Sequence, residues 1–353
     1  MKKRVLVDIS AHGFGHVSQT APVVNALFRR HRDIQLTVRS GLPGRFLESR
    51  IACPFEHLGE CTDFGMLMKN AVEVDGQATA SKYQAFHANW RERVKEEAQR
   101  LAAFDLVFCN VSYLPLKAAE LAGIPAAALC SLNWADLYRH YCGGFPGSEA
   151  VHQEIADAYR SAGAFLRIEP GMPMDWLGAT QIGPVASVGK KRRDEIRKSL
   201  GLKRHERIGL VSMGGMSYPI PFGKWPAMAG MHWLVPENVD RPDMTPMETL
   251  GMPFADLLAS CDVLVTKPGY GSFVEAALSG IPVLYLTRRD WPEEPCLVDW
   301  LKTNGRCLEV GREAMERGEI SASVAMLLAM PEKPAPSASG IEEAADCLES
   351  FLT

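Results

Sequence analysis

Several signatures of common protein classes are missing from this 353-residue chain. Its apolar runs all stay well short of the roughly 18 residues that a membrane-spanning helix needs. The nine cysteines have no regular spacing and form no CxxC pair, which argues against a disulfide framework and a structural zinc site. The basic start, residues 1–4, precedes an apolar run too short for a signal peptide. We therefore expect a cytoplasmic protein without a membrane span.

An excess of charge of one sign is also missing. The formal net charge is −4, and basic residues do not interleave with aromatic ones as they do on nucleic-acid-binding surfaces. In the one basic stretch, 190–207, acidic residues recur at helical spacing. We interpret it as a solvated helix face, with a docking surface for an acidic acceptor or a membrane as the alternative. The composition predicts no nucleic-acid partner.

Short apolar runs alternate with longer amphipathic runs, the pattern of strands and helices in a parallel α/β sheet. The predicted strands are 4–9, 35–39, 106–110, 126–129, 208–212, 231–235, 263–266 and 282–286. Two groups of strands, together with the chain length, predict two domains. The Gly183-Pro184 break places their boundary near residue 183. We expect domains at 1–183 and 184–335, and a linker and final helix at 336–353 that packs back on the first domain.

A glycine loop follows the first predicted strand. Gly13 and Gly15 precede an amphipathic run, so backbone N–H groups and a helix N-terminus would face an anion there. A dinucleotide fingerprint would need a third glycine and, about 20 residues on, an acid. Ser18 holds the first of these positions, and the second strand ends in Arg39. The loop therefore indicates phosphate binding without a nicotinamide cofactor.

His16 lies where this loop turns into the helix, which we expect to begin near residue 17. A histidine there, with its side chain open to the cleft, could take a proton from a hydroxyl nucleophile because it titrates near neutral pH. A helix cap or a satisfied turn residue is the alternative. His12 follows the strand directly, and we interpret it as structural.

A second glycine loop follows the strand 263–266. It comprises Lys267, Gly269, Tyr270, Gly271 and Ser272. A helix follows, whose unpaired N–H groups and dipole favour phosphate. With a third glycine pair at Gly214 and Gly215 after the strand 208–212, the pattern predicts a phosphate-bearing ligand.

Three more groups of polar residues could contact such a ligand. Glu275 lies one turn into the second helix, where it could bind a ribose or only answer the helix dipole. Arg289, Asp290, Glu293 and Glu294 follow the last predicted strand, where they could bind phosphate and sugar hydroxyls or form a solvated loop. Trp134 and Asp136 could form the floor of an acceptor site. Their alternative is an aromatic-rich helix start packed on the core.

Taken together, AHGFGHVSQ, SMGGM and KPGYGSFVEAALSGIPVLYLTRRDWPEEP carry a family resemblance along nearly the whole chain. The sequence resembles glycosyltransferases of the GT-B fold, and most closely the glycosyltransferase-like N-terminal half of L-arabinokinase-type proteins. The resemblance implies an α/β protein with two Rossmann-like domains whose parallel sheets face each other across a cleft. The first domain would take the acceptor, and the second the nucleotide-sugar donor.

The same resemblance implies roles for individual residues. His16 matches the general base, while Gly269, Gly271, Ser272 and Glu275 match the donor-nucleotide loop and its ribose-binding glutamate. Residues 290–294 match the donor-sugar loop, although Glu293 and Glu294 replace the amide found in related enzymes.

The sequence thus predicts transfer of a sugar, most simply from a UDP-sugar, to a small hydroxyl-bearing acceptor. Lys267 or Arg289, with helix N–H groups, would neutralise the leaving diphosphate. Since no DxD motif occurs, we expect no metal and no cofactor. The alternatives are a nucleotide-sugar hydrolase or epimerase, and a non-catalytic nucleotide-sugar-binding protein.

Overall fold

The computed structural model describes residues 2–70, 73–215, 218–288 and 290–352. The predicted α/β class is confirmed, since two sheets of parallel strands alternate with helices. The chain forms two compact units: unit 1 comprises Met1–Val185 and Ser339–Thr353, and unit 2 comprises Ala186–Ala338. In the described part of the chain, no helix has the length and apolar character needed to cross a bilayer.

The strands are short and mostly buried. They are β1 (Arg4–Ile9), β2 (Gln35–Arg39), β3 (Glu56–Leu58), β4 (Met68–Asn70), β5 (Glu73–Val74), β6 (Leu106–Asn110), β7 (Ala126–Cys130), β8 (Ala164–Ile168), β9 (Thr180–Ile182), β10 (Arg207–Ser212), β11 (Met231–Val235), β12 (Met244–Pro246), β13 (Val263–Thr266), β14 (Val283–Tyr285) and β15 (Cys307–Glu309). Every predicted strand is present, with ends that differ by at most one residue.

Helices connect the strands in both units. They are α1 (Gly15–Arg30), α2 (Gly44–Glu48), α3 (Gly76–His87), α4 (Trp90–Leu101), α5 (Leu114–Ala122), α6 (Trp134–Cys142), α7 (Ser148–Arg160), α8 (Arg193–Leu200), α9 (Phe254–Ser260), α10 (Tyr270–Ser279), α11 (Glu294–Asn304), α12 (Arg312–Arg317), α13 (Ser321–Ala329) and α14 (Gly340–Ser350). Single 3₁₀ turns lie at Asp175–Leu177, Phe222–Lys224 and Met247–Leu250.

The two large sheets share one topology. The order in unit 1 is β3-β2-β1-β6-β7-β8-β9, and in unit 2 it is β12-β11-β10-β13-β14-β15. In both, the chain builds outward from a first strand to one side and then crosses to the other. Strands such as β6 and β7 are buried along their whole length, as expected where helices cover both faces of a parallel sheet. Each sheet therefore has a topological switch point beside its first strand.

The interpretation of 190–207 as one helical face is wrong at both ends. Only α8 is helical in this stretch, and it ends at Leu200, before Gly201, which adopts a left-handed conformation with φ of 66°. Arg207 already belongs to β10. Glycine ends a helix in this way at little cost because it has no Cβ to clash.

The last helix, α14, packs against α1. Ala344, Ala345 and Leu348 are buried, while Arg30 on α1 forms ion pairs with Glu342, Asp346 and Glu349 at 2.5, 2.6 and 3.0 Å, respectively. Because exposed ion pairs contribute little free energy, the apolar stripe carries most of this attachment.

The start of α14 approaches the end of β9 very closely. A Cβ atom on Gly340 would lie 2.0 Å from the carbonyl oxygen of Gly183. We therefore expect Gly340→Ala to force the two segments apart and to lower the free energy of unfolding by about 1–3 kcal/mol. Urea denaturation measures the change. Gly144→Ala is the matched control, because no described atom beyond its chain neighbours lies within 4 Å of its Cβ position; equal stability of the two variants would contradict the prediction.

Candidate functional site

At the switch point of unit 1, the chain leaves β1 and turns into α1. Ile9 pairs with Asn110 of β6, so the ends of the two strands lie side by side. Gly13 has φ of 134°, which favours glycine. A Cβ on Gly13 or Gly15 would have no described atom beyond its neighbours within 4 Å. The turn therefore leaves open space beside the first backbone N–H groups of α1, at an edge where α/β sheets commonly bind ligands.

His16 lies in the first turn of α1 and is buried, with 7% of its surface exposed. Most of the residue is thus covered, and its contact with an acceptor stays a prediction. The helix-cap alternative is wrong, because Phe14 is the N-cap residue. The Nδ1 atom of His16 lies 2.8 Å from Oδ1 of Asn110. Asn110 thus brings a polar side chain from the neighbouring strand against the imidazole.

A buried polar network continues from Asn110. Its Nδ2 lies 3.0 Å from Oε1 of Gln19 and 3.4 Å from the backbone oxygen of His16. The Nε2 of Gln19 donates to Oγ of Ser131 at 2.8 Å, and the thiol of Cys130 donates to Oε1 of Gln19 at 3.3 Å. The network therefore joins α1 to the ends of β6 and β7. Sequence analysis missed it, although a polar residue that closes an apolar strand is a usable signal.

The surroundings of His16 keep it uncharged. Burial lowers its pKa from 6.5 to about 4, against the smaller opposing effect of the hydrogen bond with Asn110. A low pKa follows because a buried imidazolium loses its hydration without an opposite charge to replace it. His16 is therefore neutral at physiological pH and able to accept a proton, as a weak base.

Trp134 opens α6 and is fully buried. Its indole N–H donates to Oδ2 of Asp63 at 2.6 Å, and burial raises the pKa of Asp63 to about 7. The ring stacks on His12 at 5.2 Å and meets His16 edge-on at 5.8 Å between centroids. Trp134 thus forms a layer beneath both histidines, as in the packed-core alternative.

Asp136 lies in the first turn of the same helix, whose N-cap is Asn133. The side-chain oxygen of Asn133 accepts from the backbone N–H of Asp136 at 2.8 Å, and the carboxylate of Asp136 accepts from Nδ2 of Asn133 at 2.7 Å. It also accepts from the indole of Trp176 at 3.1 Å. These bonds give Asp136 a structural role; its contact with an acceptor stays a prediction.

The switch point of unit 2 brings together two of the predicted glycine loops. Ser212 of β10 pairs with Thr266 of β13, so the turns that follow these strands are neighbours. Gly214 has φ of 77°, and a Cβ at this position would lie 3.8 Å from Cε of Lys267. The structure therefore places the Gly214-Gly215 turn beside Lys267.

The helix α10 begins directly after this lysine. Gly269 is its N-cap and, having no side chain, supplies no side-chain cap of its own. Tyr270 and Gly271 are buried, whereas Ser272 is half-buried. The first turn of a helix directs its backbone N–H groups outward, where they commonly bind anions. Glu275 is buried one turn further on, and its ribose contact stays a prediction.

Lys267 has a lowered pKa of about 8. Burial is the main cause, the guanidinium of Arg288 adds to it, and the carboxylates of Glu293 and Glu294 oppose it. The ammonium group is still protonated at neutral pH. An incoming anion would favour this charged form further.

The loop after β14 is more ordered than a solvated loop, so that alternative is wrong for its two glutamates. Both are buried. Oε2 of Glu294 accepts from the backbone N–H of Arg288 at 2.8 Å, and Oε2 of Glu293 accepts from the indole of Trp291 at 3.0 Å. Asp290 is exposed, while Arg289 lies outside the described residues. The binding of a donor sugar by this loop stays a prediction.

Among the described residues, no cluster of three or more His, Cys, Asp and Glu side chains has a geometry that could hold a metal ion.

The low pKa of His16 predicts a specific pH dependence of stability. Between pH 6.5 and pH 4 the unfolded chain binds a proton at His16 and the folded protein does not, so the free energy of unfolding falls as the pH falls through this window. The loss amounts to about 3 kcal/mol. We expect His16→Gln to remove this part of the fall, as measured by urea denaturation at several pH values. Parallel curves for the two proteins would contradict the low pKa; the other histidines affect both equally.

Comparison with curated proteins gives one distant relative. L-arabinokinase from Arabidopsis thaliana is 25% identical over 304 residues. The match takes in 83% of this chain but only 29% of the relative, so the chain spans less than a third of that protein. No family model matches the sequence.

Comparison with solved structures identifies the fold. The calicheamicin glycosyltransferase CalG4 matches with a TM-score of 0.61 and 16% identity, over 100% of this chain and 99% of its own. Medicago truncatula UGT71G1, solved with UDP-glucose, matches with a TM-score of 0.57 and 11% identity, over 100% of this chain and 99% of its own. A putative UDP-N-acetylglucosamine 2-epimerase from Listeria monocytogenes matches with a TM-score of 0.57 and 16% identity, over 100% of this chain and 96% of its own. The predicted GT-B resemblance is confirmed at the level of the fold, which this chain shares with glycosyltransferases along its whole length.

Proposed function

We propose that the protein transfers a sugar from a nucleoside diphosphate sugar, of the UDP type, to a hydroxyl group of a small acceptor. The observation that carries this proposal is that the glycine N-cap of α10 follows Lys267 directly and that Gly214 lies beside this lysine, at the switch point of unit 2. The shared fold supports it, because solved proteins of this fold include a glycosyltransferase and a complex with UDP-glucose.

The donor would bind to unit 2. Its diphosphate would accept hydrogen bonds from the backbone N–H groups of 269–272 and would lie near Gly214 and Gly215, with the ammonium of Lys267 opposite. Glu275 would bind the ribose hydroxyls, and the loop that carries Asp290, Glu293 and Glu294 would bind the sugar, with Arg289 near the phosphates. As the bond from the anomeric carbon to the diphosphate breaks, negative charge grows on the leaving group. Backbone donors and Lys267 stabilise that charge, so the step needs no metal clamp.

The acceptor would bind to unit 1, beside Gly13, Gly15 and His16, with Trp134 and Asp136 supporting its site. The acceptor oxygen forms the new bond to the anomeric carbon while its proton passes to the neutral imidazole of His16. A neutral buried histidine can take this part because its lone pair is available at physiological pH.

A nucleotide-sugar epimerase or hydrolase is the second candidate, and the fold shared with the putative epimerase favours it. Incubation of the protein with UDP-glucose or UDP-N-acetylglucosamine, with and without a panel of hydroxyl acceptors, separates the two. Acceptor-dependent release of UDP supports transfer. Free or epimerised sugar formed from the donor alone would contradict transfer and support the epimerase or hydrolase.

We expect His16→Gln to lower turnover by a factor on the order of 10²–10⁴, because proton removal from the acceptor loses its base. The dissociation constant for UDP should stay unchanged, since His16 belongs to unit 1. Steady-state kinetics and calorimetry measure the two effects, with EDTA present to test metal independence. His205→Gln, a change at an exposed histidine, serves as control. Wild-type turnover in His16→Gln would remove this residue from the mechanism.

We expect Gly269→Ala to weaken UDP binding by about tenfold, or about 1.4 kcal/mol. Among the described atoms beyond the chain neighbours, the backbone oxygen of Lys267 alone lies within 4 Å of a Cβ on Gly269, at 3.9 Å. The fold therefore accepts the methyl group, which would then obstruct the first turn of α10. Calorimetric titration with UDP measures the loss.

The matched control is Gly311→Ala, at the glycine N-cap of α12, where the same change should leave UDP affinity unchanged. If both variants bind UDP as tightly as the wild type, the anion site does not lie at α10.

A further inference from the structure

We propose that Asn110 is a positioning residue that holds His16 in the tautomer with its proton on Nδ1, so that Nε2 carries the lone pair that accepts the proton. The tautomer follows from the hydrogen-bond network alone, whereas its importance for turnover rests on the proposed function. The amide of Asn110 lies 94 residues away in the sequence and reaches the imidazole only because β6 pairs with β1.

The orientation of the Asn110 amide is set by a backbone carbonyl. Its Nδ2 lies 3.4 Å from the main-chain oxygen of His16, a group that can only accept hydrogen bonds. The same nitrogen lies 3.0 Å from Oε1 of Gln19. A flipped amide would direct its oxygen at both of these acceptors. The orientation with Nδ2 toward them and Oδ1 toward the imidazole is therefore favoured.

The position of Gln19 is fixed in turn by its own partners. The thiol of Cys130 donates to Oε1 of Gln19 at 3.3 Å, and Nε2 of Gln19 donates to Oγ of Ser131 at 2.8 Å. The amide hydrogen bonds thus run in one direction, from Nδ2 of Asn110 to Oε1 of Gln19 and from Nε2 of Gln19 to Oγ of Ser131. Oδ1 of Asn110 is the amide oxygen that faces the imidazole.

The side-chain oxygen of Asn110 decides the tautomer of His16. Oδ1 of Asn110 is an acceptor and lies 2.8 Å from Nδ1 of His16, so Nδ1 must donate. A neutral imidazole has a single N–H group, and the proton on Nδ1 leaves Nε2 as an acceptor. Because this arrangement exists before any ligand binds, the base would need no proton rearrangement at the start of the reaction.

An amide at position 110 also leaves the imidazole of His16 neutral, whereas a carboxylate would favour its protonated form. An aspartate would accept the same hydrogen bond but would stabilise the imidazolium by its charge. The other groups facing His16 are the thiol of Cys130, at 3.8 Å from Nδ1, and the indole of Trp134. Cys130 is the titratable group among these neighbours. Asn110 thus fixes the tautomer without making the histidine cationic.

Long-range ¹H–¹⁵N correlation spectra of protein labelled at histidine nitrogens test the inference directly. We expect His16, assigned by its loss in His16→Gln, to show a protonated Nδ1 and an unprotonated Nε2 from pH 5 to pH 8. In Asn110→Asp the midpoint of its titration should rise by about 1–3 pH units. In Asn110→Leu the two tautomers should mix, because the acceptor for Nδ1 is lost.

The pH profile of kcat/KM gives the functional readout. The acid limb should move upward in Asn110→Asp by the same shift as the histidine titration, which a merely structural role for Asn110 would not produce. Thermal unfolding checks that each variant is folded, and the wild-type spectrum tests the tautomer even if a variant fails to fold.

Two results would overturn the inference: a wild-type His16 protonated on Nε2, or a titration of His16 that is the same in Asn110→Asp and in the wild type. The proposed function fails in a different way. If the tautomer and its titration behave as expected while turnover does not respond to His16→Gln, the histidine is positioned by Asn110 but is not the base.

Discussion

The parallel pairing of the first strand of each sheet with the strand across the switch point is the constraint on which both candidate sites depend. Parallel strands place their carboxyl ends at one edge, so β1 with β6, and β10 with β13, deliver their following residues to the same place. Asn110 meets His16 for this reason, and Lys267 meets Gly214. Residues some 50 to 100 positions apart in the chain become neighbours without any local signal between them.

Buried polar side chains at this edge of the unit 1 sheet are satisfied in two different ways. Arg39 at the end of β2 is buried between two carboxylates, with Nε 2.5 Å from Asp8 and a guanidinium nitrogen 2.6 Å from Glu97, because a buried charge is costly unless it is paired. Around His16 the solution is opposite. Amides, a hydroxyl and a thiol satisfy the hydrogen bonds without charge, and the imidazole therefore stays neutral.

The sequence predicts the strands well because each is a short apolar run closed by a polar or glycine turn, as at 106–110 and 263–266. It also locates the glycine loops, since Gly13 and Gly214 need backbone angles that other residues rarely adopt. It does not reveal how far His16, Glu293 and Glu294 are buried. Burial depends on which distant segment covers a side chain, and the contact between His16 and Asn110, 94 residues apart, cannot be deduced from spacing along the chain.

In the proposed reaction the two edges carry complementary electrostatic tasks. A histidine held neutral by burial is available at every physiological pH, but its low proton affinity gives little driving force for removing a proton from a hydroxyl. Most of the stabilisation of the transition state must then act on the charge of the leaving group rather than on the transferred proton. In the proposal, unit 2 would supply that stabilisation with the N-terminus of α10 and with Lys267, whose charge is favoured as negative charge grows on the leaving diphosphate. The proposed reaction therefore combines a weak base with an anion site.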